Sequence, residues 1–145
     1  MRDLIERVEK LTGPDREVDE RIICAVAAPA GAYVEQSRIN GNWCIYVPNH
    51  RGEPKLWKAE GWWRAGGWPV TGSLDAAIAL KERLLPGWSL AMLVGPERTS
   101  VFVRDKTLLD PNKIERDGYS ASPAIALVLA TLRAYAATHT AEAGK

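Results

Sequence analysis

Thr71-Gly72-Ser73-Leu74-Asp75-Ala76-Ala77 is the stretch on which the reading of this chain turns. Ser73 stands where a capping hydroxyl accepts a hydrogen bond from an orphan N–H of a helix's first turn. Asp75 adds a negative charge near the positive end of that helix. The residues that follow predict a helix from Leu74 to Leu85, with Leu74, Ala77, Ile78, Leu84 and Leu85 toward the core and Pro86-Gly87 stopping it. Ser120-Ala121-Ser122-Pro123-Ala124-Ile125-Ala126 repeats the signal, with Ser122 as cap and Pro123 in the first helical position. Ile125, Leu127, Val128, Leu129, Leu132 and Tyr135 leave this second helix apolar over more than one face, which predicts the central helix of the fold, ending near Ala137. Residues 138–145 read as a flexible tail.

Between these two helices, Trp88 to Val94 and Thr99 to Arg104 read as strands joined by the hairpin loop Gly95-Pro96-Glu97-Arg98. Leu108 to Tyr119 reads as a polar connection. Upstream, the turn Asn40-Gly41-Asn42 leads into the β-rich run Trp43-Cys44-Ile45-Tyr46-Val47, and Lys55 to Ala59 is a second short strand. The segment from Gly61 to Pro69 is rich in glycine and tryptophan and shows no clear period. At the N-terminus Leu4, Ile5, Val8 and Leu11 follow helical spacing until Thr12-Gly13-Pro14. Pro14 then suits the first turn of a second helix whose apolar face is Val18, Ile22, Ala25 and Val26, widened by Ile23.

These blocks predict one α+β domain over residues 1–145, with an antiparallel sheet of about four strands flanked by helices in the order α-α-β-β-α-β-β-α. Two helices fall within 1–27, the strands and Trp-rich segment within 33–70, and a helix-hairpin-helix unit within 73–137. Hydrophobic residues make up 46% and charged residues 26% of the chain, which supports a packed core and argues against disorder. The net charge of +1 gives no bulk attraction for a polyanion, so nucleic acid is not the expected partner. No apolar stretch is long enough to span a bilayer, and Met1-Arg2-Asp3-Leu4 does not open a secretion signal, so the expected place is the cytoplasm. Cys24 and Cys44 form no CxxC pair and have only His50 and His139 to join them, so no metal or other cofactor is expected. They read as free, mostly buried thiols, Cys44 facing the core.

The order of Gly13-Pro14-Asp15-Arg16-Glu17-Val18-Asp19, Thr71 to Ala77, Leu85-Pro86-Gly87-Trp88, Ser122-Pro123-Ala124-Ile125-Ala126-Leu127 and Leu132-Arg133-Ala134 resembles the phage ABA sandwich domain family of small phage and prophage proteins. The resemblance covers nearly the whole chain except the Trp-rich middle. It implies a sheet packed between helices and a phage product acting in the cytoplasm of an infected bacterium; it implies no activity and no catalytic residues. Val70 and Tyr119-Ser120-Ala121 depart from the family pattern, which speaks against a shared ligand pocket.

Candidate site residues fall into two groups. Trp57, Trp62, Trp63 and Trp68 stand close together in sequence with Lys58 and Arg64 among them. Such rings most simply plug the edge of a core. Trp and Arg are also favoured anchors for a protein partner, and aromatic faces beside cations stack nucleobases. Ser73 and Asp75 could present polar groups at a helix start, and Arg16 could help form a polar pocket, although capping and solvated ion pairs account for them more simply. No GxSxG, GxxxxGK[ST], GxGxxG or HExxH is present. The expectation is therefore a non-enzymatic phage accessory protein that binds a host protein. One alternative is a module sequestering a small nucleotide-like ligand, and another is an enzyme with an unrecognised site.

Overall fold

Local signals and long-range pairing share the work of building this molecule. The computed structural model describes residues 1–58, 68–105 and 115–143, the last three of these by backbone alone. Its elements run α1 (Arg2–Glu9), α2 (Arg16–Ala27), β1 (Tyr33–Gln36), β2 (Trp43–Pro48), β3 (Pro54–Trp57), α3 (Leu74–Leu84), β4 (Ser89–Val94), β5 (Thr99–Arg104), β6 (Glu115–Ser120) and α4 (Pro123–Ala143). The class is α+β. The strands form two antiparallel sheets of three, in the orders β1-β2-β3 and β4-β5-β6, instead of a single sheet of about four.

Two strands account for the difference. β1 is only four residues long and gains its place by pairing with β2, Tyr33 opposite Tyr46 and Gln36 opposite Trp43. The turn between them is tight: Ser37 N–H donates to Asn42 O at 2.7 Å, and Gly41 takes φ +72°, a conformation open to glycine. β6 is Glu-Arg-Asp-Gly-Tyr-Ser, so polar that it reads as a connection, yet it pairs with β5 along its whole length. A backbone ladder needs no apolar side chain when an apolar neighbour covers the strand.

That neighbour is α4, which packs on β5 and β6 of the second sheet and on α3 and α1. It is the central helix: every residue from Ala124 to Leu132 is buried, and Ala134 with them. It starts as the sequence predicts, with Ile125 N–H donating to Ser122 Oγ at 3.4 Å, and continues past Ala137 to Ala143. α2 packs on β1 and β2, covering one face of the first sheet. Its N-cap is Asp15, whose carboxylate accepts from Val18 N at 3.0 Å, so Pro14 lies just outside the helix. The buried face of α3 is Ala76, Ala77 and Leu80 with Lys81, while Leu74 is exposed instead of facing inward.

A buried polar knot ties these parts together. Thr71 N–H and Thr71 Oγ1 both donate to Asp19 Oδ1, each at 2.8 Å, and Asp15 N–H donates to Thr71 Oγ1 at 2.9 Å. The knot fixes the start of α2 against the chain entering α3.

Candidate functional site

The first sheet has an inner and an outer face, and the side-chain alternation along β2 decides which residues each one shows. Ile45 is buried toward the core, with Val34 and Trp57 beside it in the ladder. Trp57 is therefore half-buried on the inner face. Tyr46 points the other way, and Tyr33 and Leu56 stand directly opposite it on either side. Tyr33–Tyr46–Leu56 thus forms a row across the sheet on the face away from α2. The two tyrosine rings stack with centroids 5.8 Å apart and planes 27° from parallel. Tyr33 is 39% exposed and Leu56 48%.

Of the residues singled out from sequence, Trp62, Trp63 and Arg64 lie outside the described residues. Trp68 is buried, and its indole N–H donates to Ala76 O at 3.0 Å, so it anchors α3 within the core. Lys58 is exposed directly after β3. Ser73 Oγ accepts from Ala76 N at 3.3 Å as the α3 cap, and Asp75 is exposed in the same first turn. Arg16 bridges Asp19 at 3.0 Å and Glu20 at 3.5 Å. Trp57 and Trp68 face inward while Lys58 faces solvent, so these three do not assemble into one site.

Sequence reading missed the tyrosine row because Trp43 to Val47 holds no charged residue to mark its outer face. A shift of one residue inverts the two faces. The residues opposite Tyr46 come from strands that only the pairing identifies. The same alternation moves Cys44 to the outer face, opposite Glu35 and half-buried, instead of into the core. Its thiol lies 3.7 Å from Asn42 O. The Cys24 thiol is pushed up from its ordinary pKa by burial, which disfavours the nucleophilic thiolate.

The second sheet also has an outer face, where Leu93, Ser100 and Tyr119 are aligned, as are Ala91, Phe102 and Asp117. Arg98 lies over the Tyr119 ring at 5.0 Å from its centroid. A shallow depression, open to solvent, follows the β4–β5 turn from Leu93 to Ser100. Among the described residues no group of three or more His, Cys, Asp or Glu stands where it could hold a metal ion. No helix among them is long and apolar enough to cross a membrane. Compared with known protein families, curated proteins and solved structures, the chain matches none.

Proposed function

We propose that this chain is a phage-encoded accessory protein that works in the cytoplasm of an infected bacterium by binding a host protein, with counter-defence as its setting. The observation that carries the reading is the Tyr33–Tyr46–Leu56 row, exposed Tyr33 and Leu56 flanking a half-buried Tyr46 on the sheet face that α2 leaves uncovered. Tyrosine is enriched at the centres of protein interfaces, where it brings apolar area and a polar tip at low entropy cost. The Trp-rich segment begins directly after β3 in sequence, with residue types that favour the same kind of contact. The phage setting rests on the resemblance in the helix starts.

The geometry favours a protein over a nucleotide-type ligand. A nucleobase stacks on an open ring face, whereas Tyr33 and Tyr46 turn ring faces toward each other. The test is affinity capture from bacterial lysate with wild type, Leu56→Arg and Trp63→Ala. We expect one host protein to be retained by wild type. Leu56→Arg should weaken its binding by about 30-fold, the loss expected for an interface anchor of about 2 kcal/mol, with an unchanged circular dichroism spectrum. Equal capture by Leu56→Arg and wild type, joined to a thermal shift with one nucleotide, would overturn the reading in favour of ligand sequestration.

A further inference from the structure

The second sheet treats its two edges differently. On β6 two outward carbonyls are occupied: Arg133 donates to Asp117 O at 2.7 Å and Arg116 to Glu115 O at 2.7 Å. β6 also carries charges at Glu115, Arg116 and Asp117. β4, the opposite edge, is Ser-Leu-Ala-Met-Leu-Val, with no charge, proline or glycine to deter pairing. Leu93 and Val94 are 65% and 72% exposed there.

The hairpin fixes which backbone groups of β4 are free. Gly95 N–H donates to Arg98 O at 3.0 Å, so alternation turns the backbone groups of Leu93 and Ala91 toward β5. Those of Leu90, Met92 and Val94 therefore point outward, away from the sheet. Two residues before Leu90 the edge is closed, because Trp88 N–H donates to Leu85 O at 3.2 Å and Lys81 Nζ donates to Trp88 O.

We infer that β4 pairs antiparallel with β4 of a second copy of this chain, about a two-fold axis at Met92. In this register Met92 faces Met92 of the second copy and Leu90 faces Val94, so every outward N–H and C=O from Leu90 to Val94 finds a partner. Moving the axis to Ala91 would set Val94 against Trp88, whose backbone groups are already used. Ala91 then meets Leu93 on the outer face, small against large, and no like charges meet. An axis normal to the sheet keeps both α4 helices on the same side of a continuous six-stranded sheet, and α4 itself packs on β5 and β6, away from the joint. A six-residue edge spans only about 20 Å and buries less than a standard interface. The dimer is therefore concentration-dependent, with half-association at about 10–100 µM.

Sedimentation velocity from about 5 µM to about 0.5 mM tests this, that range bracketing the expected midpoint. Wild type should pass from monomer to dimer. Ala91→Lys/Leu93→Lys sets like charges opposite each other twice and should stay monomeric throughout, with an unchanged circular dichroism spectrum. Ala91→Lys/Leu93→Glu sets opposite charges across the same joint and should dimerise again. A wild type that is monomeric at every concentration would overturn the inference, as would dimerisation of the double-lysine variant at the wild-type midpoint. None of these outcomes involves the tyrosine row, which lies on the other sheet.

Discussion

Gly118 stands in β6 where the strand crosses α4, and the helix backbone leaves no room for a side chain. A Cβ there would sit 2.1 Å from Ala126 O and 2.8 Å from Ala130 N, and backbone atoms cannot swing aside as a flexible side chain would. Ala126 and Ala130 supply the complementary flat surface on the helix, so three small residues set the distance between sheet and helix. Gly118→Ala should therefore destabilise the fold by about 3 kcal/mol or more, at the upper end for overpacking, as read by urea unfolding. In sequence Gly118 looks like a loop glycine within a polar stretch, because nothing local announces the helix that lies on it. On the same helix Thr131 Oγ1 is buried without a hydrogen-bond partner among the described residues.

At the scale of elements, the helix starts are legible because capping is local chemistry. Ser73 and Ser122 each accept from an N–H three residues along, and the serine and its target lie in one short stretch of chain. Strands are less legible: β1 and β6 depend on their partners, and so does the assignment of faces along β2. The joint between α2 and the chain entering α3 is also non-local, since Asp19 and Thr71 stand 52 residues apart. Burial raises the Asp19 pKa above 3.8, outweighing the Thr71 hydrogen bonds and the Arg16 charge. Glu20 is raised from its ordinary value by burial as well. Glu17 is lowered by hydrogen bonds from Arg21 and then Arg7. A raised carboxyl binds more protons folded than unfolded, so its contribution to stability falls as pH rises from 3.8 through the folded-state pKa. Asp19→Asn removes that dependence while keeping an acceptor for Thr71. The stability of wild type relative to Asp19→Asn should thus decline on raising the pH across that window, measured by chemical denaturation at each pH.

At the scale of the molecule, the two sheets differ in how they are held. The second sheet lies on α4, whose run from Ala124 to Leu132 is buried throughout, while the first sheet packs on α2 and buries Ile45. Local opening follows the apolar area lost. Native-state hydrogen exchange should therefore show the amides of Glu35 and Ile45, both turned into the ladder, opening at lower free energy than those of Leu127 and Val128. The sequence by itself determined the starts of α3 and α4, the central place of α4, the β4–β5 hairpin and the α+β class, because each follows from spacing and capping within a few residues. Only the tertiary structure decided that the strands divide into two sheets, that Trp57 and Trp68 turn inward while Tyr33, Tyr46 and Leu56 turn outward, and that β4 keeps an edge unblocked by any of the described residues. Those outcomes depend on strand register and on which backbone groups find partners, and such pairings join residues that no local pattern connects.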